Sequence, residues 1–105
     1  MNTLSDLFGA WHSMMDTLQK RLDDCSSDAL LQKWMGVVTR MSPISRDAAW
    51  WASLPDELPR YRALVIALDT ATRALASARG DPAKLSKALD EAAAAVGLVE
   101  AFHAE

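Results

Sequence analysis

A short turn between two long apolar seams is the feature that most constrains how this chain can fold. Arg79 gives the first seam a basic last helical turn, and Gly80 suits the left-handed C′ position. Asp81-Pro82 follows at once, as an N-cap residue and a proline at the first helical position. Two helices joined by so short a turn must run antiparallel. We therefore predict a helical hairpin over residues 57–104, with each helix on the order of 30 Å long.

The apolar residues on both sides of this turn recur every three or four positions, which is the spacing of a helical seam. The first seam consists of Leu58, Tyr61, Val65, Leu68, Thr72 and Leu75, and the second of Leu85, Leu89, Ala92, Val96 and Val99. The second helix also carries Ala88 and Ala95 beside Ala92. These small side chains predict a low-relief face that another helix can approach closely.

Residues 1–42 are predicted to form a pair of helices. The first runs from about Leu4 to Leu22, and Thr3 with Asp6 gives it a start similar to a capping box. Its predicted apolar stripe is Leu4, Phe8, Trp11, Met15, Leu18 and Leu22. The second helix starts near Ser27 and ends before Pro43. Its apolar residues cover more than half of its circumference, which predicts either burial between two helices or contact with a partner. They are Leu30, Leu31, Trp34, Met35, Val37, Val38 and Met41.

Residues 43–59 form a connector that holds three of the four prolines and two of the four tryptophans. Ser45 is predicted to cap a short helix over residues 46–52. Because proline lacks an N–H and clashes with the preceding turn, the next helix is expected to start between Leu54 and Pro59. The whole chain, residues 1–105, is therefore predicted to be a single all-α domain. In it a small bundle of four to five helices is built on the long antiparallel C-terminal hairpin.

Composition and charge narrow the class of protein. The net charge of −3 argues against a general nucleic-acid binder, and one cysteine cannot form an intramolecular disulfide. The first residues lack the basic and apolar regions of a signal peptide, and the longest apolar runs are far shorter than a membrane span. We therefore expect a cytoplasmic protein with no membrane insertion.

No catalytic or metal-binding constellation is found in the sequence. Glu100 and His103 match the Glu-x-x-His spacing of di-iron bundles, but such a site needs a second pair and two further carboxylates. His12 is best read as an ordinary surface residue beside Asp16, and Cys25 follows two aspartates that disfavour a thiolate. We therefore expect no enzyme activity, no cofactor and no metal.

The sequence leaves a protein–protein interaction module as the leading functional hypothesis. Such a module would be a bacterial chaperone, adaptor, immunity protein or accessory subunit that binds another protein, or itself as a homodimer, in fixed stoichiometry. Tryptophan and arginine dominate binding hot spots, and both are concentrated in and around the connector. The predicted partner-binding residues are Trp34, Arg46, Trp50, Trp51, Arg60, Tyr61 and Arg62.

Two other functions stay open. One is a small-ligand sensor or carrier with an inter-helical pocket lined by Trp11, Trp34, Met35 and Trp50. The other is a helical regulator associated with nucleic acid. The arginines in the middle third of the chain support that second alternative, and the negative net charge of the whole chain opposes it. For the tryptophans themselves the competing interpretation is structural, with the connector folded over the bundle as a lid.

Overall fold

The computed structural model describes residues 2–105 and confirms the predicted all-α bundle built on a C-terminal hairpin. The helices are α1 (Leu4–Arg21), α2 (Asp28–Ser45), α3 (Ala48–Ser53), α4 (Arg60–Ser77) and α5 (Pro82–His103). A 3-10 turn, Leu22–Asp24, follows α1. Within residues 2–105 no strand forms, and the only extended pairing is an isolated bridge between Thr3 and Glu57.

The four long helices alternate in direction along the chain. The Leu4 N–H donates to the Asp56 carbonyl at 2.8 Å, and Arg21 Nη1 donates to the Ala76 carbonyl at 3.4 Å, so α1 and α4 are parallel. The ion pair between Lys33 and Asp90, at 2.9 Å, helps to hold α2 parallel to α5. The starts of α1 and α4 therefore lie at the same end as the ends of α2 and α5. We call this the connector end, and we call the opposite one the turn end.

The hairpin forms at its predicted turn. Gly80 has a φ of 73°, a left-handed conformation that L side chains rarely adopt. The Asp81 side chain caps α5 by accepting a hydrogen bond from the Lys84 N–H at 3.1 Å. All five predicted seam residues of α5 are buried, and on α4 Tyr61, Leu68 and Leu75 are fully buried. The first helix of the hairpin begins at Arg60, just after the range expected for its start.

The packing is centred on the α4–α5 pair. These two helices make the most extensive contact, α1 packs on α4, and α2 packs on α5. By contrast, the backbones of α1 and α2 approach each other closely at few points. Small residues, which favour close helix packing, are buried on both of these helices: Ala71 and Ala78 at the α4 side, and Ala88, Ala92 and Ala95 on α5.

The predicted apolar stripe of α1 is partly wrong. Trp11 and Leu18 are buried as expected, but Leu7 and Met14 fill the core while Phe8 is 46 % exposed. The helix carries two overlapping apolar stripes offset by one residue. Sequence periodicity alone does not decide which of them faces the other helices.

Two predicted boundaries around the connector are also wrong. Helix α2 continues through Pro43 to Ser45, because the proline lies in the exposed last turn, where only one backbone hydrogen bond is lost. The short helix begins at Ala48 rather than Arg46, and its cap is Asp47 rather than Ser45. The Asp47 Oδ1 accepts a hydrogen bond from the Trp50 N–H at 3.1 Å.

The alanine packing predicts that added volume on α5 will be tolerated only on its outer face. Ala92 is fully buried, so Ala92→Leu should lower the free energy of unfolding by about 1–3 kcal/mol through overpacking. Ala94 is exposed on the same helix, and Ala94→Leu should change the free energy of unfolding by less than about 0.5 kcal/mol. Chemical denaturation of both variants measures the difference. Equal stability of the two variants would contradict close packing at Ala92.

Candidate functional site

Helix α3 crosses the connector end and closes it with aromatic side chains. Trp51 is buried, stands edge-on to Phe8 with ring centres 5.2 Å apart, and donates its Nε1–H to the Ile44 carbonyl at 2.9 Å. Trp50 is half-buried and packs edge-on against Phe102 at 5.7 Å. The two neighbouring tryptophans contact each other edge-on, with ring centres 4.8 Å apart, and Trp51 is the more buried of the two.

The polar groups of buried aromatic residues at this end of the bundle also form hydrogen bonds. The Tyr61 hydroxyl donates to the Pro55 carbonyl at 2.6 Å, and Trp11 Nε1 donates to Ser45 Oγ at 2.9 Å. Burial, with a smaller contribution from the charge of Asp56, raises the pKa of Tyr61 above its ordinary value. Tyr61 therefore stays neutral at physiological pH and serves as an anchor for the connector.

A carboxylate–histidine contact ties the connector to the last turn of α5. His103 Nε2 lies 2.9 Å from Asp47 Oδ2, and Trp50 packs edge-on against the imidazole with ring centres 4.7 Å apart. The hydrogen bond from His103, followed by that from the Trp50 N–H, lowers the pKa of Asp47 below its ordinary value. Asp47 is thus both the cap of α3 and its link to α5, two roles that the sequence reasoning missed. An aspartate three residues before Trp50 is the signal for the cap, and nothing local indicates the distant histidine.

The predicted partner-binding residues separate into two places in the structure. Five of the seven, Arg46, Trp50, Trp51, Arg60 and Tyr61, lie at or next to the connector end, and Arg62 is exposed in the first turn of α4. Trp51 and Tyr61 are buried there, so neither presents its ring to a partner in this conformation. Arg60 lies over the Phe102 ring at 4.8 Å and pairs with Glu105. Only Trp34 lies elsewhere, on the side of the bundle.

That side of the bundle is a shallow apolar groove between α1 and α2. Trp34 is half-buried in this region and donates its Nε1–H to the Leu18 carbonyl at 2.7 Å. The groove encloses a cavity of about 30 Å³. The cavity is lined by Met15, Leu18 and Gln19 from α1 and by Val38, Met41 and Ser42 from α2.

Exposed apolar side chains continue this groove along both helices. Leu31 and Met35 share the face of α2 that carries Val38, and they are 36 % and 49 % exposed. Leu22, 38 % exposed, continues the stripe of Phe8 and Met15 on the α1 side. Among the described residues, four of the six large hydrophobic side chains that are exposed belong to α1, α2 or the turn between them. We call this surface, Phe8, Met15, Leu22, Leu31, Met35 and Val38, the α1–α2 face.

The sequence contained a signal for this face. On α2 it is the apolar arc wider than half the helix, and on α1 it is the presence of two stripes where the core uses one. On α1 the periodicity predicts Phe8, Met15 and Leu22 as core residues, so the sequence alone does not indicate that they form part of this face.

The four residues predicted to line a ligand pocket do not meet around one cavity. Trp11 is fully buried, Met35 is exposed on the outer side of α2, and Trp50 lies at the connector end. The groove cavity, with space for about one water molecule, is far smaller than the pockets of several hundred Å³ that hold small-molecule ligands.

The Glu-x-x-His pair is held by other partners. Arg40 Nε donates to Glu100 at 3.0 Å, and His103 faces Asp47. Within residues 2–105 no group of three His, Cys, Asp or Glu side chains is placed to hold a metal ion. Desolvation raises the pKa of the Cys25 thiol, and Asp24 adds to this, so the neutral thiol is favoured. None of the helices in this described range is long and apolar enough to cross a membrane.

Comparison with known proteins returns no match: no family model, no curated protein and no solved structure is similar to this chain at a significant level.

The lowered pKa of Asp47 makes a prediction about acid stability. A carboxylate whose pKa is lower when folded adds stability above its unfolded pKa, near 3.8, and loses it as the pH falls through the folded value. The wild type should therefore be more stable than Asp47→Asn at neutral pH, and the gap should narrow below about pH 4. Chemical denaturation of both proteins at a series of pH values measures this difference in stability. In a His103→Gln background the gap should be smaller, and a gap independent of pH would contradict the assignment.

Proposed function

We propose that this protein is a non-enzymatic interaction module that binds a protein partner through the α1–α2 face. It would act as a chaperone, adaptor, immunity protein or accessory subunit, by stoichiometric binding. The observation that carries the proposal is the concentration of exposed apolar side chains on this one face, continuous with an apolar groove. Contiguous apolar surface on a small protein is typical of a binding site, whereas scattered single residues are not.

The exposed residues of this face are not part of the buried core. On α1 the buried stripe is Leu7, Trp11, Met14 and Leu18, and on α2 the buried residues are Leu30, Val37, Met41 and Ile44. Leu22, Leu31 and Met35 lie outside both sets, and each retains a large exposed fraction. Burying the remainder of each side chain against a partner would contribute on the order of 1 kcal/mol.

The connector end is a weaker candidate for the main binding surface. Its aromatic rings pack on one another, and the indole N–H groups of Trp11 and Trp51 already donate to Ser45 and Ile44. Of the predicted residues there, Arg46 is the one that also lies beside the α1–α2 face, because its Nε donates to the Ser42 carbonyl at 3.3 Å.

Site-specific photo-crosslinking in cells tests the proposal. A benzophenone amino acid at Met35 should give covalent adducts with a protein, whereas the same probe at Ile66 should not. Ile66 is the matched control, because it is 53 % exposed on α4, which is not part of the face. Mass spectrometry identifies the adducts. Absence of any adduct at Met35, or equal labelling from both positions, would refute the proposed binding surface.

A further inference from the structure

We infer that the occupant of the α1–α2 face is a second copy of this chain, docked antiparallel across a two-fold axis. This inference rests on the proposed function, since it takes the same face as the binding surface and adds the partner and its orientation. The observation behind it is the placement of two opposite charges, Asp28 and Arg46, at the two ends of α2.

Asp28 and Arg46 lie on the same side of α2. They are 18 residues apart, which is five turns at 3.6 residues per turn, so their side chains leave the helix in the same direction about 27 Å apart. Both are exposed, and neither forms an ion pair with any described residue. The hydrogen bond from Arg46 to Ser42 places the guanidinium on the side of the helix that borders the groove.

On the side of α2 that faces α5, the charged residues are paired differently. Lys33 pairs with Asp90, and Arg40 pairs with Glu100, so both cations facing α5 are matched inside the subunit. Among the charges of α2 and its C-cap, Asp28 and Arg46 are therefore the ones left for an external partner. Leu31 and Met35 lie between them on that face.

This arrangement is complementary to itself only when the second copy is antiparallel. A two-fold axis that is perpendicular to α2 and crosses the interface at the level of Val37 brings Asp28 of one subunit level with Arg46 of the other, and the same contact repeats at the far end. Parallel docking would instead place like charges together at both ends, which is unfavourable. The apolar residues between the charges would then meet their own counterparts, as an isologous interface requires.

The size of the face is compatible with a dimer. Helices α1 and α2 have 18 residues each, so the face is about 27 Å long and two helix diameters, about 20 Å, wide. This corresponds to on the order of 500 Å² in projection, and the accessible area of a side-chain surface exceeds its projection. Stable interfaces bury roughly 800 Å² per partner, so the whole face has to participate.

Charge reversal with mixing of the variants tests this geometry. Asp28→Arg and Arg46→Asp should each place two like-charged pairs in the homodimer and weaken self-association by at least about tenfold. An equimolar mixture of the two variants should recover association as a one-to-one heterodimer, because the reversed residues then face each other. Sedimentation velocity at a series of concentrations measures the mass relative to the 11.5 kDa chain.

Controls separate association from folding. Each charge also favours its own end of the α2 dipole, so circular dichroism must show that each reversed variant is folded. If one is not, Asp28→Asn and Arg46→Gln remove the same charges with less effect on the helix and should weaken association by a smaller factor. Arg79→Asp is the matched control for Arg46→Asp, because Arg79 is exposed just after the end of α4, and it should leave association unchanged.

The outcomes distinguish this inference from the proposed function. A wild-type dimer, weakened single variants and a recovered heterodimer support the inference. A monomeric wild type, or a mixture that does not associate, overturns it. If the wild type is monomeric while Met35 still crosslinks to a different protein, the second copy is not the occupant of the face and the proposed function stands. If Met35 gives no adduct with any protein, the proposed function is wrong as well.

Discussion

Close packing between α4 and α5 determines where the other helices lie. Alanine side chains are buried on both helices, and α4 and α5 make the most extensive helix–helix contact in the bundle. Helices α1 and α2 then dock on opposite partners, α1 on α4 and α2 on α5. They meet each other mainly through long side chains, such as Trp34 reaching the Leu18 carbonyl. The seam between α1 and α2 is therefore the most open one, and the groove is a consequence of the tight pair on the other side.

The same packing explains the connector. Helix α2 ends beside α5, whereas α4 starts beside α1, so residues 46–59 must cross the end of the bundle diagonally. A chain crossing an open bundle end has to cover the apolar core and satisfy its own backbone. Trp51 covers the core, and Ile44 and Pro55 supply carbonyls to Trp51 and Tyr61. Prolines suit this segment because several of its N–H groups have no helical partner.

Sequence reasoning predicted what is encoded locally and missed what depends on distant contacts. The hairpin turn was predictable, because the left-handed Gly80 and the Asp81 cap are properties of adjacent residues. The choice between Leu7 and Phe8 as a core residue was not, since it depends on which side of α1 meets α4. The partnership of Asp47 with His103 joins residues 56 positions apart, and no spacing rule indicates it. The sequence shows that the apolar arc of α2 is wide, but it does not show where that arc lies in the folded bundle.

The two regions rich in aromatic and apolar residues differ in how completely they are satisfied within one subunit. At the connector end, aromatic rings contact one another, indole and phenol groups have acceptors, and Arg60 has both Phe102 and Glu105. On the α1–α2 face, Met35 has no such enclosure, and Asp28 and Arg46 at the two ends of α2 form no ion pair with a described residue. A surface with exposed apolar side chains and unpaired charges gains the most binding free energy from contact with a second molecule. We therefore propose the α1–α2 face as the binding surface, although most of the residues predicted from the sequence lie at the connector end.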